Sequence, residues 1–127
     1  MQKRPTDSEL EILQVLWGRG PSSVREVNEA LNEKREVGYT TTLKIMQIMT
    51  EKGFLSRKKD GKTHIYQASA EKESTQNLLL DRFVETTFGG SAMKLVMQAL
   101  GNSKTTPEQL KEIREYLDHI DGGKNHE

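Results

Sequence analysis

A mainly α fold carrying one small β-hairpin is what the sequence predicts, on three observations. Three capping-box patterns, at Thr6–Glu9, Ser23–Glu26 and Thr106–Gln109, each open an apolar pattern of helical period. One Asp60-Gly61 pair separates two short strand-like segments, the strongest local hairpin signal. Aromatic residues make up 6% and charged residues 30% of the 127 positions, so the core must come from Leu, Ile, Val and Met. That composition suits a small helical protein better than a β-sandwich.

The elements follow in order. Residues 6–17, TDSELEILQVLW, place Leu10, Leu13, Leu16 and Trp17 at helical spacing, and Gly18 and Gly20 stop the run. SSVREVNEALNEK aligns Val24, Val27, Ala30 and Leu31 on one face of a second helix. YTTTLKIMQIMTEK predicts a third, ending at Gly53, the residue suited to a left-handed C-cap. Phe54–Lys59 and Thr63–Ala68 are expected to pair as strands with Asp60-Gly61 at the tip. EKESTQNLLLDRFVETTF then sets Leu79 and Phe83 one turn apart before Gly89-Gly90, and SAMKLVMQAL is a short apolar helix. Pro107 at the first helical position opens the last helix, with Leu110, Ile113, Leu117 and Ile120 as its stripe. The final seven residues, DGGKNHE, are expected to fray.

Three helices followed by a basic hairpin is the plan of a winged helix-turn-helix domain, placed at 1–69, with a helical dimerisation region at 70–127. Phe88, Met93, Leu95, Val96, Met97 and Leu100 crowd one short segment, apolar nearly all round, and the chain offers little to cover it. A second copy is the economical cover. The expected dimer residues are these six with Leu79, Phe83, Ile113 and Leu117.

Net charge is zero, but its distribution is uneven. Residues 39–67 hold six Lys or Arg (Lys44, Lys52, Arg57, Lys58, Lys59, Lys62) against Glu51 and Asp60, whereas 68–127 hold seven against ten. A basic island in an acidic chain points to a polyanion. At 100° per residue, the third helix divides into two arcs. Thr42, Leu43, Ile45, Met46 and Met49 share one, a core face; Thr40, Thr41, Lys44, Gln47, Ile48 and Glu51 share the other. Hydroxyls, an amide and a lysine on one arc are the groups that read base edges in a major groove. The plainer alternative is that Thr40 caps the helix. Lys58, Lys59 and Lys62 suit a wing lying on phosphates, though a basic turn alone is more often just solvated.

These residues carry a family resemblance. TDSELEILQVLW at 6–17, VREVNEAL at 24–31, YTTTLKIMQIMTEKGFL at 39–55, KKDGKTHIYQAS at 58–69, FVETTFGGSAMKLVMQAL at 83–100 and PEQLKEIREYL at 107–117 resemble the penicillinase-repressor family. These are winged-helix repressors of β-lactamase and methicillin-resistance genes, with copper-responsive members. The resemblance implies a homodimeric repressor on a palindromic double-stranded operator. It implies base and phosphate contacts from Thr40, Thr41 and Lys44, and phosphate contact from Ser22 and Ser23 at the start of the second helix. Two departures stand out. Ile48 occupies a position where many members carry arginine. Gln98-Ala99 replaces the Asn-Phe bond at which a sensor protease cleaves the resistance repressors, so that partner is not supported. The copper branch uses cysteines, and this chain has none.

Other classes find little support. Without cysteine there is no disulfide or thiol chemistry, and a reducing cytoplasm is the expected home. MQKRPTDSELE lacks the apolar stretch of a signal peptide, and no run is long enough to span a membrane. His64, His119 and His126 share no metal-ligand spacing, and no nucleotide-binding or hydrolase motif occurs. No enzyme, metal or cofactor is expected. The competing reading is a winged-helix protein–protein adaptor without specific DNA binding.

Overall fold

The computed structural model describes residues 4–124, with side chains described to residue 122. Its elements are α1 (Asp7–Arg19), α2 (Val24–Asn32), α3 (Tyr39–Lys52), β1 (Leu55–Asp60), β2 (Thr63–Ala68), α4 (Lys72–Phe88), α5 (Ala92–Asn102) and α6 (Pro107–Lys124). The fold is therefore mainly α with one antiparallel hairpin, as expected.

Local chemistry starts the helices. Thr6 and Ser23 each accept a bond from the amide three residues on, and Glu9 and Glu26 reach back to the capping residues' own N–H groups. Thr106 and Gln109 exchange the same pair of bonds at 3.0 and 3.1 Å. A further cap escaped the sequence reading: Ser91 Oγ accepts from Lys94 N at 3.1 Å and opens α5. α3 closes on Gly53, whose φ of 88° and ψ of 7° lie in the left-handed region where Cβ is penalised. Gly18, expected to stop the first helix, lies inside it, and Gly20 is the C-cap.

The core of the first unit joins Ile12, Leu13 and Leu16 of α1, Val24, Val27 and Leu31 of α2, and Met46 and Met49 of α3. Phe54, Leu55 and Tyr66 seal it from the hairpin. Leu10, expected inside, is only partly covered, while Ile12 is fully buried. The hairpin also docks through its backbone, because Ser22 and Tyr66 exchange N–H···O bonds of 2.9 and 2.8 Å.

The turn lies one residue later than expected. Pairing of Leu55 with Ala68 and Arg57 with Tyr66 carries the ladder to Asp60 opposite Thr63. Gly61-Lys62 is therefore the two-residue turn, and Gly61 takes φ 63° at its first position, as a type II′ hairpin requires. Burial of Leu55 and Tyr66 fixes this register.

The chain divides into two compact units between Arg82 and Phe83, inside α4, beyond the expected division after residue 69. Trp17 Nε1 donates to Ala70 O at 3.0 Å and Thr75 is buried, which ties the start of α4 to the first unit. In the second unit, Gly89 and Gly90 adopt φ of 58° and 90° between α4 and α5, and Phe83 meets Phe88 edge-on at 5.6 Å. No residue of α5 is buried. α6 continues through Lys124, so the expected fraying at 121–124 does not occur, and 125–127 lie outside the described residues.

An ion pair with a buried carboxylate joins α3 to α1. Lys52 Nζ, on the last turn of α3, donates to Glu9 Oε2 at 2.8 Å, and Glu9 is buried. Burial pushes the Glu9 carboxyl up, but Lys52 and the Thr6 N–H together outweigh it and hold it below its ordinary value of 4.5. Its ionised form thus adds stability above that value, and the contribution fades as pH falls through the lowered one. Lys52→Met should cost ~1–3 kcal/mol in urea unfolding at neutral pH by leaving a buried carboxylate unpaired. The difference from wild type should shrink in acid, as Glu9 takes a proton in both proteins.

Candidate nucleic-acid interface

The two arcs of α3 appear in the structure much as the helical count places them. Thr42, Met46 and Met49 are buried, and Leu43 and Ile45 pack partly against the core. Thr40, Thr41, Lys44, Gln47 and Ile48 are all exposed on the other side. Ile48, at 37% relative exposure, is an apolar residue within that polar arc. Thr40 does not cap the helix: Gly38 is the N-cap and makes no side-chain capping bond.

The wing is less uniform than its composition suggests. Side chains alternate across a strand, so the register separates the cations. Lys59, opposite His64, and Arg57, opposite Tyr66, share the face that continues into the buried Leu55 and Tyr66. Lys58, opposite Ile65, lies on the reverse face, and Lys62 is in the turn. Arg57 is steered by Tyr66, whose hydroxyl accepts from Arg57 Nη1 at 3.4 Å.

Helix α2 contributes differently from expectation. Ser22 is buried, its backbone is paired with Tyr66, and its hydroxyl donates to Gly20 O at 2.9 Å. It is a structural residue of the hairpin dock and is not offered to a ligand. Ser23 is half-buried, and its hydroxyl accepts from Glu26 N at 3.2 Å. The backbone N–H and hydroxyl of Ser23 hold the Glu26 carboxyl below its ordinary range, with Arg19 adding to the effect. The first turn of α2 therefore already carries a carboxylate.

These three elements surround one cleft of about 420 Å³, lined among others by Arg25, Tyr39, Leu43, Lys62, His64 and Tyr66. Arg25, Tyr39 and His64 are exposed and were missed as site residues, as was Arg57 on the wing. Strand alternation would have joined Arg57 to Lys59 once the register was known. Nothing in the sequence marks Tyr39 beyond its place beside the threonines.

Among the described residues, no group of three or more His, Cys, Asp or Glu side chains is placed to hold a metal ion, and His126 lies outside them. No described helix is long and apolar enough to cross a membrane.

Three helices, a hairpin docked on their core and an outward polar helix face define a winged helix-turn-helix protein. The match to known families agrees in class and is more specific. The penicillinase-repressor family model matches residues 5–119, and the chain belongs to that family of transcriptional regulators. Over 119 residues it is 24% identical to the transcriptional regulator BlaI of Mycobacterium tuberculosis, covering 92% of this chain and 85% of that one. It is 22% identical to the penicillinase repressor of Bacillus licheniformis, covering 93% and 94%. It is 21% identical to the methicillin resistance regulatory protein MecI of Mammaliicoccus sciuri, covering 88% and 91%. Among solved structures, a MarR-like transcriptional regulator of Thermotoga maritima aligns with a TM-score of 0.46 at 16% identity, over 97% of this chain and 79% of that one.

Because the Ser23 hydroxyl is spent on capping, Ser23→Ala should first lower stability, by about 1 kcal/mol. Thermal unfolding of the free protein checks this; an unchanged midpoint would leave the hydroxyl available for another role.

Proposed function

We propose that this protein is a transcriptional repressor that binds a palindromic operator as a homodimer. One observation carries the reading: α3 turns Thr40, Thr41, Lys44, Gln47 and Ile48 outward to solvent, and its first turn, through Tyr39 and Leu43, borders a cleft with the start of α2 and the wing. Thr40, Thr41, Lys44 and Gln47 read base edges in the major groove, and Ile48 offers an apolar contact of the kind thymine methyls accept. Lys58, Lys59 and Lys62 with Arg57 neutralise phosphates, the sequence-independent part of binding.

The dimer is attributed to residues from about 70 onward. Met93 and Met97 are 75% and 66% exposed, and Phe83, Val96 and Leu117 are each about half exposed. Leu79, Phe88, Leu95 and Ile113 are partly covered, and Leu100 lies at the edge of exposure. Apolar surface of this extent is characteristic of a subunit contact. Two α3 helices then enter successive major grooves, ~34–36 Å apart. The named relatives favour resistance-type genes as targets. Gln98-Ala99 lies within α5, and cleavage at that bond forms no part of the proposal.

The test is binding to a duplex selected from a randomised pool. Thr41→Ala and Lys44→Ala should each weaken the selected duplex by roughly 1–3 kcal/mol and relax sequence preference. Lys58→Ala or Lys62→Ala should instead weaken all duplexes alike and reduce the salt slope by about one. Binding that ignores salt would favour the adaptor reading. Sedimentation at micromolar concentration should show a dimer, and a monomer there would overturn the assembly.

A further inference from the structure

We infer that Asn28, acting through the buried hydroxyl of Thr42, is a positioning residue that fixes the rotation of α3 and hence which side chains meet DNA. The inference rests on the operator reading and adds a determinant that never touches the nucleic acid.

The geometry is a closed polar network. Asn28 Nδ2 donates to Thr42 Oγ1 at 2.8 Å and to Val37 O at 3.0 Å. Thr42 is fully buried, and its hydroxyl passes a longer bond of 3.4 Å to Gly38 O. Asn32 completes the network: its Nδ2 donates to Val37 O at 2.9 Å and Asn28 O at 2.7 Å, and its Oδ1 accepts from Val37 N at 3.1 Å. Both backbone groups of the residue preceding the α3 N-cap are therefore held from α2.

Packing alone specifies this rotation weakly. Besides Thr42, the fully buried residues of α3 are Met46 and Met49, unbranched side chains that adapt to many arrangements. α2 is the reverse case, anchored by Val24 and Val27, whose branched side chains allow few rotamers. Asn28 follows Val27 directly, so its amide starts from a well-fixed place. An amide–hydroxyl bond is directional where methionine packing is not. Thr41 and Thr42 lie 100° apart around the helix. A slip of one position would carry Thr41 into Thr42's buried place and Thr42 to that of the half-buried Leu43. The N-cap gives no help, since Gly38 has no side chain to bond the first turn.

The experiment uses the full chain, the duplex that the wild-type protein selects and a scrambled duplex of the same composition. Failure of the wild-type protein to select any sequence overturns the operator reading and this inference with it. Once a duplex is selected, only the variants bear on Asn28. Thr42→Val keeps the shape and removes the hydroxyl. The selected-to-scrambled affinity ratio should fall roughly tenfold, as for one lost buried hydrogen bond, with scrambled-duplex affinity and salt slope unchanged. Asn28→Ala should lower the ratio at least as far, since it also removes the bond to Val37 O, and the double variant no further than Asn28→Ala, because both changes remove the Asn28–Thr42 bond. Thr42→Ser restores the hydroxyl and should restore the ratio. Thermal unfolding fixes a temperature at which each variant is folded; should Thr42→Val fail to fold, Asn28→Ala decides the matter. An unchanged ratio in Asn28→Ala, or equal weakening on both duplexes, overturns the inference.

Discussion

The orientation of α3 is the constraint on which the first unit depends, and it is held at both ends by polar contacts with other helices. Near its start, Asn28 of α2 bonds the buried Thr42. At its end, Lys52 reaches the buried Glu9 of α1. Between them Met46 and Met49 provide area without much directional preference. The helix has few surfaces left: its inner side is core, its ends are pinned, and its outer arc is free for a partner. Buried polar pairs add little net stability compared with apolar packing, but their geometry discriminates between arrangements.

Helix positions were legible in the sequence because the signals for helix starts are local. A capping box needs only two side chains and two amides within four residues, and all three expected boxes form. The Gly53 stop is equally local. What the sequence hid depends on contacts across distance. The wing turn is displaced by one residue because Leu55 and Tyr66 seek the core, a preference that outweighs the Asp-Gly signal. Ser22 resembled a helix-start residue, yet pairing with a strand more than forty residues away buries it.

Thr42 shows the same limit at the scale of one side chain. Helical periodicity assigns it correctly to the inner arc, and there the sequence reading ends with a packing residue. The structure adds a bonded hydroxyl, which required knowing that Asn28 of a different helix comes within 2.8 Å. The candidate interface divides similarly. Its α3 portion follows from a count of 100° steps, while Arg25, Tyr39, Arg57 and His64 emerge only when three elements are assembled around a cleft or a ladder.

The Gly61-Lys62 turn gives the ribbon a property that residue content does not express. With two residues in the turn, odd-numbered positions of β1 share a face with even-numbered positions of β2, and His64 joins Arg57 and Lys59. A turn lengthened by one residue would exchange His64 for Ile65 on that face without altering a single side chain. The wing's chemistry is thus encoded in parity, and only a change of loop length by an odd number of residues would present another surface.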